Sequence, residues 1–464
     1  MGRFIKTNRK SKKLHKLAQK SPNRPKYHFC APSLWMNDPN GPIYYKGEYH
    51  LFYQHNPYKN KWGRIHWGHA KTKDLVHWEH LPIALKPSRD KGEKHCFSGD
   101  CVIDDDTPKI IYTKIGHLWH VLRGAEQWLA VGDEELLNWK KSTKNPIMTD
   151  DLHDKNIRQW RDPFLWKEKN FWYCIIAGHY RWKHHGVVFL YRSEDLMNWE
   201  YIHPLYEGTK EQGWCFECPN FFPLKEKYIL ILSPFDKVIY GIGKYKNLKF
   251  NPETWHTLNH SDDFYATNIL NDKQNRTILF GWIKGGGKLW NGCISLPRIL
   301  SLSKKNKLSM KPILELQKLR IDCYEINNIE LEDLGENCQV LTHLDTDTFE
   351  IKADFETSKE GSFGFLIQNG KEQLKLGINS KENRIFMGEK GGLMTQITDF
   401  SKITFHVFID APIFELFANY QECISIHYKF KEISEKRFKI AVFSEHVALN
   451  CSNIKIWKLR SINV

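Results

Sequence analysis

The sequence predicts an all-β protein, a five-bladed β-propeller followed by a C-terminal β-sandwich. Three observations lead there. From Tyr27 onward, short apolar or alternating runs are separated by Gly, Pro, Asn and Asp, as in Tyr49-His50-Leu51-Phe52-Tyr53, Phe171-Trp172-Tyr173-Cys174-Ile175-Ile176 and Tyr228-Ile229-Leu230-Ile231-Leu232. Such runs have the length and composition of strands, and sustained helical periodicity is scarce. A pentapeptide recurs as Asp74-Leu75-Val76-His77-Trp78, Glu135-Leu136-Leu137-Asn138-Trp139 and Asp195-Leu196-Met197-Asn198-Trp199, with tryptophan spacings of 61 and 60 residues. Four strands and their turns fit that period, as in one propeller blade. From about Cys323 the texture changes to alternation, as in Thr348-Phe349-Glu350-Ile351-Lys352-Ala353 and Phe405-His406-Val407-Phe408-Ile409-Asp410, which suits two facing sheets.

A chain of 464 residues exceeds one ordinary core. We divide it into a basic, flexible arm over residues 1–26, a propeller over 27–315 and a sandwich over 323–464, with a partly helical connector from Leu308 to Leu319. Ten of the 68 Lys/Arg and none of the 54 Asp/Glu fall in residues 1–37, so the net charge of +14 belongs largely to the N-terminal end. A helical turn is expected around Leu14, Leu17 and Ala18. A basic arm is a natural contact for nucleic acid or anionic lipid. Nothing downstream resembles a nucleic-acid module, so neither nucleic acid nor membrane is the expected partner. No secretory apolar stretch follows the early charges, and no run is long enough to span a bilayer. The 11 cysteines show no repeating spacing. Reduced thiols in a cytoplasmic protein are expected. The CxxC at Cys215–Cys218 lacks a second ligand pair, so neither metal nor cofactor is expected. Composition says nothing of the oligomeric state.

The stretch Trp35-Met36-Asn37-Asp38-Pro39-Asn40-Gly41 points to a site. Pro39 and Gly41 disfavour a continuous strand, so Asp38 is expected where a strand breaks into a loop. A surface turn would explain the last four residues equally well. The repeat decides between them. Asp38 lies 40 residues before Trp78, Asp100 39 before Trp139 and Asp162 37 before Trp199. Equivalent phase in successive blades means equivalent position about a common axis. Glu217 and Asp263 open the next two units. Several carboxylates are thus expected to converge, which is costly unless the cluster has a use.

Two carboxylates flanking one bond are the minimal machinery of glycoside hydrolysis. The apolar neighbours of Glu217, namely Trp214, Cys215, Phe216 and Cys218, suggest a raised pKa and the acid/base role. Asn37 beside Asp38 and Arg161 beside Asp162 suggest that these two stay ionised. Gln54, His55 and Asn56 offer polar groups for sugar hydroxyls, and Trp35, Trp62, Trp67 and Trp282 offer stacking faces. The small-molecule partner is expected to be a carbohydrate.

These motifs together resemble family 32 of the glycoside hydrolases, which holds invertases, sucrose-6-phosphate hydrolases and fructan hydrolases. The resemblance rests on Trp35–Gly41, Phe52–Pro57, Trp67-Gly68-His69-Ala70, Phe97-Ser98-Gly99, Arg161-Asp162-Pro163, Glu217-Cys218-Pro219, Asp263-Phe264-Tyr265-Ala266, Phe280-Gly281-Trp282 and Leu296-Pro297-Arg298. It implies a retaining β-fructofuranosidase acting on sucrose, sucrose 6-phosphate or short fructans. Asp38 would be the nucleophile, Glu217 the acid/base and Asp162 the transition-state stabiliser with Arg161 beside it. Asn37, Gln54, Trp62, Phe97, Ser98 and Trp282 would line the fructose pocket. A transfructosylase using the same site and a silent sugar-binding propeller are the alternatives. The chain departs from the family at Asp100, where a small residue is usual, at Phe216 and Asn220, and at Ala266-Thr267-Asn268. These changes bear on the leaving group and spare the three carboxylates.

Overall fold

The computed structural model describes residues 13–21, 23–117, 124–153, 156–430 and 437–462. Antiparallel four-stranded units follow one another along the first two thirds of the chain. The first comprises Leu34–Tyr45, Glu48–Asn56, His66–Thr72 and Glu79–Leu85. The second, third and fourth open with His95–Asp104, Ile157–Glu168 and Glu217–Leu224. The last is built from Phe264–Asn271, Thr277–Gly286, Arg298–Leu302 and Leu308–Pro312. An extra strand, Trp290–Ile294, pairs with Thr277–Gly286 and also runs parallel to Leu34–Tyr45, which ties the last unit to the first. The first strand of each unit packs against the first strand of the next, and Phe264–Asn271 packs against Leu34–Tyr45.

The recurring pentapeptide is a turn between the third and fourth strands of a unit. Its leucine is buried with a positive φ at Leu75 (61°), Leu136 (57°) and Leu196 (64°). A bulky residue adopts that backbone only when its surroundings hold it. An aspartate supplies the hold. Asp74 accepts from the backbone N–H of Val76 and His77, and Asp195 from those of Met197 and Asn198. In the second unit the acceptor is Asp133, on Leu137 and Asn138, and not Glu135 of the aligned pentapeptide.

The connector expected to be partly helical divides in two. Leu308–Pro312 is a strand, and Leu314–Leu319 is a 3₁₀ helix. Beyond it, two antiparallel sheets enclose a second core. One contains Arg320–Ile326, Leu449–Leu459, Thr348–Thr357, Lys402–Asp410, Ile413–Ala418 and Glu422–His427. The other is centred on Phe438–Glu445, Ser362–Asn369 and Glu372–Asn379. Phe355, Phe363, Phe365 and Phe405 meet between them.

Residues 1–12 of the expected arm lie outside the described residues. The rest of it is not detached. Residues 13–19 are helical, Ala18 is fully buried, and His15 meets His80 edge to face. Arg24 donates to the Ala31 carbonyl at 2.6 Å. The next turn is fastened to the C-terminal sheets by one carboxylate. Asp410 accepts from the N–H groups of Lys26, Tyr27 and His28 at 2.7–2.8 Å. Composition could not show this, because the partner lies almost four hundred residues away.

His28 is fully buried between Asp410 (2.9 Å) and Glu415 (3.1 Å). Glu415 also accepts from the Leu296 N–H, Arg298 and Ser425. Burial alone would lower the His28 pKa, but hydrogen bonds and charge from both carboxylates outweigh it and raise the value from 6.5 to about 9. A raised folded value means that this stabilisation is complete below pH 6.5 and lost as pH climbs through 9. Unfolding stability should therefore fall by about 3 kcal/mol across that window. His28→Gln should flatten the slope. Urea denaturation at several pH values checks this, and an equally steep fall in the variant would exclude His28 as its source.

Candidate active site

The first strand of every unit breaks its ladder at a comparable point. Pairing skips between Met36 and Pro39, Cys96 and Gly99, Arg161 and Phe164, Glu217 and Asn220, and Tyr265 and Asn268. Each gap frees two residues: Asn37-Asp38, Phe97-Ser98, Asp162-Pro163, Cys218-Pro219 and Ala266-Thr267. A bulge of this kind redirects side chains without ending the strand, and it tolerates proline. Asp38 thus sits inside the continuous strand Leu34–Tyr45, not at the strand-to-loop junction expected from Pro39 and Gly41. Gly41 has φ +40°, and a Cβ there would lie 2.5 Å from the Cys101 nitrogen, so glycine allows the second unit to approach.

The first four of these gaps open on a pocket of about 410 Å³. It is lined by Asn37, Asp38, Gln54, Trp62, Phe97, Arg161, Asp162, Glu217, Cys218, Phe235, Tyr265, Trp282 and Lys284. That size suits a sugar unit. Asp38 is held by three donors. Asn37 donates to Oδ1 at 2.9 Å, while Gln54 (3.2 Å) and Ser98 (2.5 Å) donate to Oδ2. Gln54 also accepts from Asn37 (2.7 Å), and Trp35 Nε1 donates to Asn37 Oδ1 (2.7 Å), so each amide is fixed in turn.

Asp162 has φ +65° and accepts the Cys218 N–H at 3.1 Å. The Cys218 sulfur lies 3.6 Å from Asp162 Oδ2 and 3.7 Å from Asp38 Oδ2, so one thiol sits between both carboxylates. Burial and the surrounding carboxylates push that thiol up, which keeps it protonated. Arg161 does not hold its sequence neighbour. Its Nε and Nη2 donate to Glu217 Oε1 at 3.1 and 2.6 Å, and it lies 3.9 Å from Asp162. Gln159 accepts twice from the opposite edge of the guanidinium. Tyr265 donates to Glu217 Oε2 at 2.6 Å and also lies 3.0 Å from the Ser233 carbonyl.

Both aspartates are shifted against the direction that their sequence neighbours suggested. Burial raises the Asp38 pKa against its hydrogen bonds from Ser98 and Asn37, and the Glu217 charge adds to the rise. Burial also raises Asp162 despite Arg161, with the Glu217 and Asp38 charges adding to it. Glu217 faces Arg161 and Tyr265, not the apolar residues beside it in sequence. Flanking residues misled for the two aspartates because neighbours along a strand point to opposite faces.

Of the five carboxylates placed by the repeat, Asp38, Asp162 and Glu217 line the pocket. Asp100 does not. It lies past its bulge, and its Oδ2 accepts the Leu165 N–H of the next unit at 3.0 Å. Burial pushes it up to about 7. Asp263 accepts the His427 N–H and pairs with Lys390, so it joins the C-terminal sheets. Trp35 and Ser98 stand behind the pocket wall, Trp35 edge-on to Trp282 and Ser98 on Asp38. Trp67 is core, and His55 and Asn56 are tied to backbone groups. Cys218, Phe235, Tyr265 and Lys284 also line the pocket, although none was expected to; Cys218 and Tyr265 fall within the motifs quoted above. Among the described residues, no cluster of His, Cys, Asp and Glu is arranged to hold a metal ion.

Comparison with known proteins gives a consistent picture. The model of the glycosyl hydrolases family 32 N-terminal domain matches residues 28–312, and that of the family 32 C-terminal region matches residues 315–458. A sucrose-6-phosphate hydrolase of Zymomonas mobilis is 32% identical over 89% of this chain and 87% of its own. A raffinose invertase of Escherichia coli is 28% identical over 88% of this chain and 90% of its own. A solved Bombyx mori GH32 beta-fructofuranosidase superposes with a TM-score of 0.79 at 28% identity, covering 98% of each chain.

The Asp162 carboxylate should weaken the fold. Its folded pKa lies above 3.8, so stability falls as pH rises from there towards the raised value. Asp162→Asn keeps an acceptor for the Cys218 N–H and removes the charge. We expect it to stabilise the protein at about pH 8 by on the order of 1–3 kcal/mol, with no gain near pH 4. Unfolding midpoints at the two pH values check this, and equal midpoints at pH 8 would refute the burial argument.

Proposed function

The chain belongs to glycosyl hydrolase family 32, and from that premise we propose that it releases terminal β-D-fructofuranosyl units by a retaining double displacement. The observation that carries this reading is the convergence of Asp38, Asp162 and Glu217 on one sugar-sized pocket, with unlike partners. Asp38, oriented by Asn37, Gln54 and Ser98, attacks the anomeric carbon of the fructosyl ring. The bond to the leaving oxygen breaks, its electron pair stays on that oxygen, and Glu217 supplies the proton. A fructosyl ester on Asp38 results. Water then gives its proton to Glu217 and attacks the same carbon from the vacated side, which frees Asp38 and retains configuration. Asp162 accepts hydrogen bonds from fructose hydroxyls, which strengthen as charge develops on the ring.

Two features support Glu217 in the acid/base role. Its side chain is 17% exposed against 6% for Asp162, so water can reach it in the second step. Tyr265 gives it two proton arrangements at fixed heavy-atom positions. The hydroxyl donates to Oε2 when Glu217 is a carboxylate. When Oε2 carries a proton, the hydroxyl turns to the Ser233 carbonyl and accepts from Glu217. The Phe235 N–H, 2.9 Å from the same oxygen, holds it in place.

We also read the five units as the blades of a propeller over residues 27–315, with the paired sheets of 323–464 as a sandwich. The ring of first-strand contacts and the parallel pairing of the last unit with the first support five blades. All 11 cysteines are free and nine are buried, which suits a reducing cytoplasm.

The test is a panel of sucrose, sucrose 6-phosphate, raffinose, inulin and levan. Wild type should release fructose from at least one. Asp38→Ala and Glu217→Ala should each lose on the order of a thousandfold or more in kcat. NMR of the first-formed sugar should show the β-anomer. No fructose from any substrate would sink the assignment, and initial α-fructose would sink the retaining mechanism.

A further inference from the structure

The pocket holds a second cation that the mechanism above leaves unused. Lys284 lies two residues past Trp282 in Thr277–Gly286 and lines the same pocket as the three carboxylates. Arg161 is committed to Glu217 and Gln159. The Lys284 ammonium makes no hydrogen bond or ion pair with any described residue. It lies 4.7 Å from the centre of the Tyr265 ring and 5.8 Å from that of Trp282. The nearest acidic groups are engaged elsewhere. Asp262 and Asp263 pair with Lys390 at 3.1 and 2.6 Å, and Asp263 also accepts the His427 N–H. Lys284 is half-buried, and burial lowers its pKa against the charges of Asp262, Asp263 and Glu217. A partly desolvated cation without a counter-ion costs free energy that a bound anion would return.

We propose that Lys284 reads an anionic substituent, binding a phosphate carried by the leaving sugar of a β-fructofuranoside. This rests on the fructosidase reading and narrows its substrate. The placement follows from Tyr265. Lys284 lies over the ring whose hydroxyl contacts Glu217, the group that protonates the leaving oxygen. The donors that fix Asp38 belong to Asn37, Gln54 and Ser98 on other strands. The ammonium therefore lies on the Glu217 side of the pocket, over the paired rings of Tyr265 and Trp282. A lysine binds phosphate as a compact point charge with three donors. It also offsets the repulsion that three carboxylates would exert on an incoming anion.

The experiment compares kcat/KM for sucrose 6-phosphate and sucrose in wild type, Lys284→Met and Lys284→Arg. Wild type should prefer the phosphorylated substrate. Lys284→Met should lower the ratio of the two kcat/KM values roughly tenfold or more, mainly through KM, and Lys284→Arg should keep most of it. Glucose 6-phosphate should inhibit wild type more strongly than glucose, and Lys284→Met should erase the difference. A wild type without preference overturns the proposal. So does an equal loss on both substrates, which would make Lys284 a donor to a neutral hydroxyl. Inhibition by inorganic phosphate as strong as by glucose 6-phosphate would mark a free-anion site and overturn the substrate assignment. Fructose release from neither substrate, with glucose 6-phosphate still bound through Lys284, would fault the fructosidase reading and leave the phosphate contact standing.

Discussion

Three carboxylates share one pocket, and the guanidinium of Arg161 is the cation bonded to one of them. Like charges in one pocket repel, and burial strips each of water. A flexible loop would relieve that cost by moving the groups apart. Here they are mounted on the first strands of the first, third and fourth units, each of which pairs with the second strand of its unit before and after the bulge. The large cores beneath provide the restoring force. The site is therefore a place where the fold opposes its own electrostatics, and catalytic groups commonly sit at such places.

The second core contributes to that rigidity from a distance. Glu415 on Ile413–Ala418 accepts from Leu296, Arg298 and His28, which belong to the last unit and to the segment leading into the first. Asp410 closes the same segment from the neighbouring strand. The C-terminal sheets thus clamp the place where the last unit meets the first through Trp290–Ile294. The buried charges of His28, Asp410, Glu415 and Arg298 all sit at that junction.

The strand texture, the repeat and the change of pattern near Cys323 were legible because each is a local or periodic property. The repeat also led to Asp38 and Asp162. What sequence hid was direction. Arg161 precedes Asp162 but turns to Glu217, and the apolar residues around Glu217 face elsewhere. Tyr265 stood in a quoted motif without a role, because its contact with Glu217 crosses between units. Glu135 aligned with Asp74 and Asp195, yet Asp133 performs the capping. In each case the identity of the residue was visible and the face it occupies was not.

The bulges explain why the repeat overcounts carboxylates. It places Asp38, Asp100 and Asp162 at similar phase, but each bulge exposes only two residues. In the second unit those are Phe97 and Ser98, and Asp100 falls beyond them. Going round the units, the freed positions present Asp38, then the Ser98 hydroxyl, then Asp162, then the Cys218 thiol, and finally Ala266. Two carboxylates are thus separated and followed by weak donors. Ser98 donates to Asp38, and Cys218 touches both Asp38 and Asp162. A carboxylate in the Ser98 position would replace a donor to Asp38 with a repelling charge. Asp100 can be an acid because its strand turns it away, towards a backbone N–H that needs an acceptor.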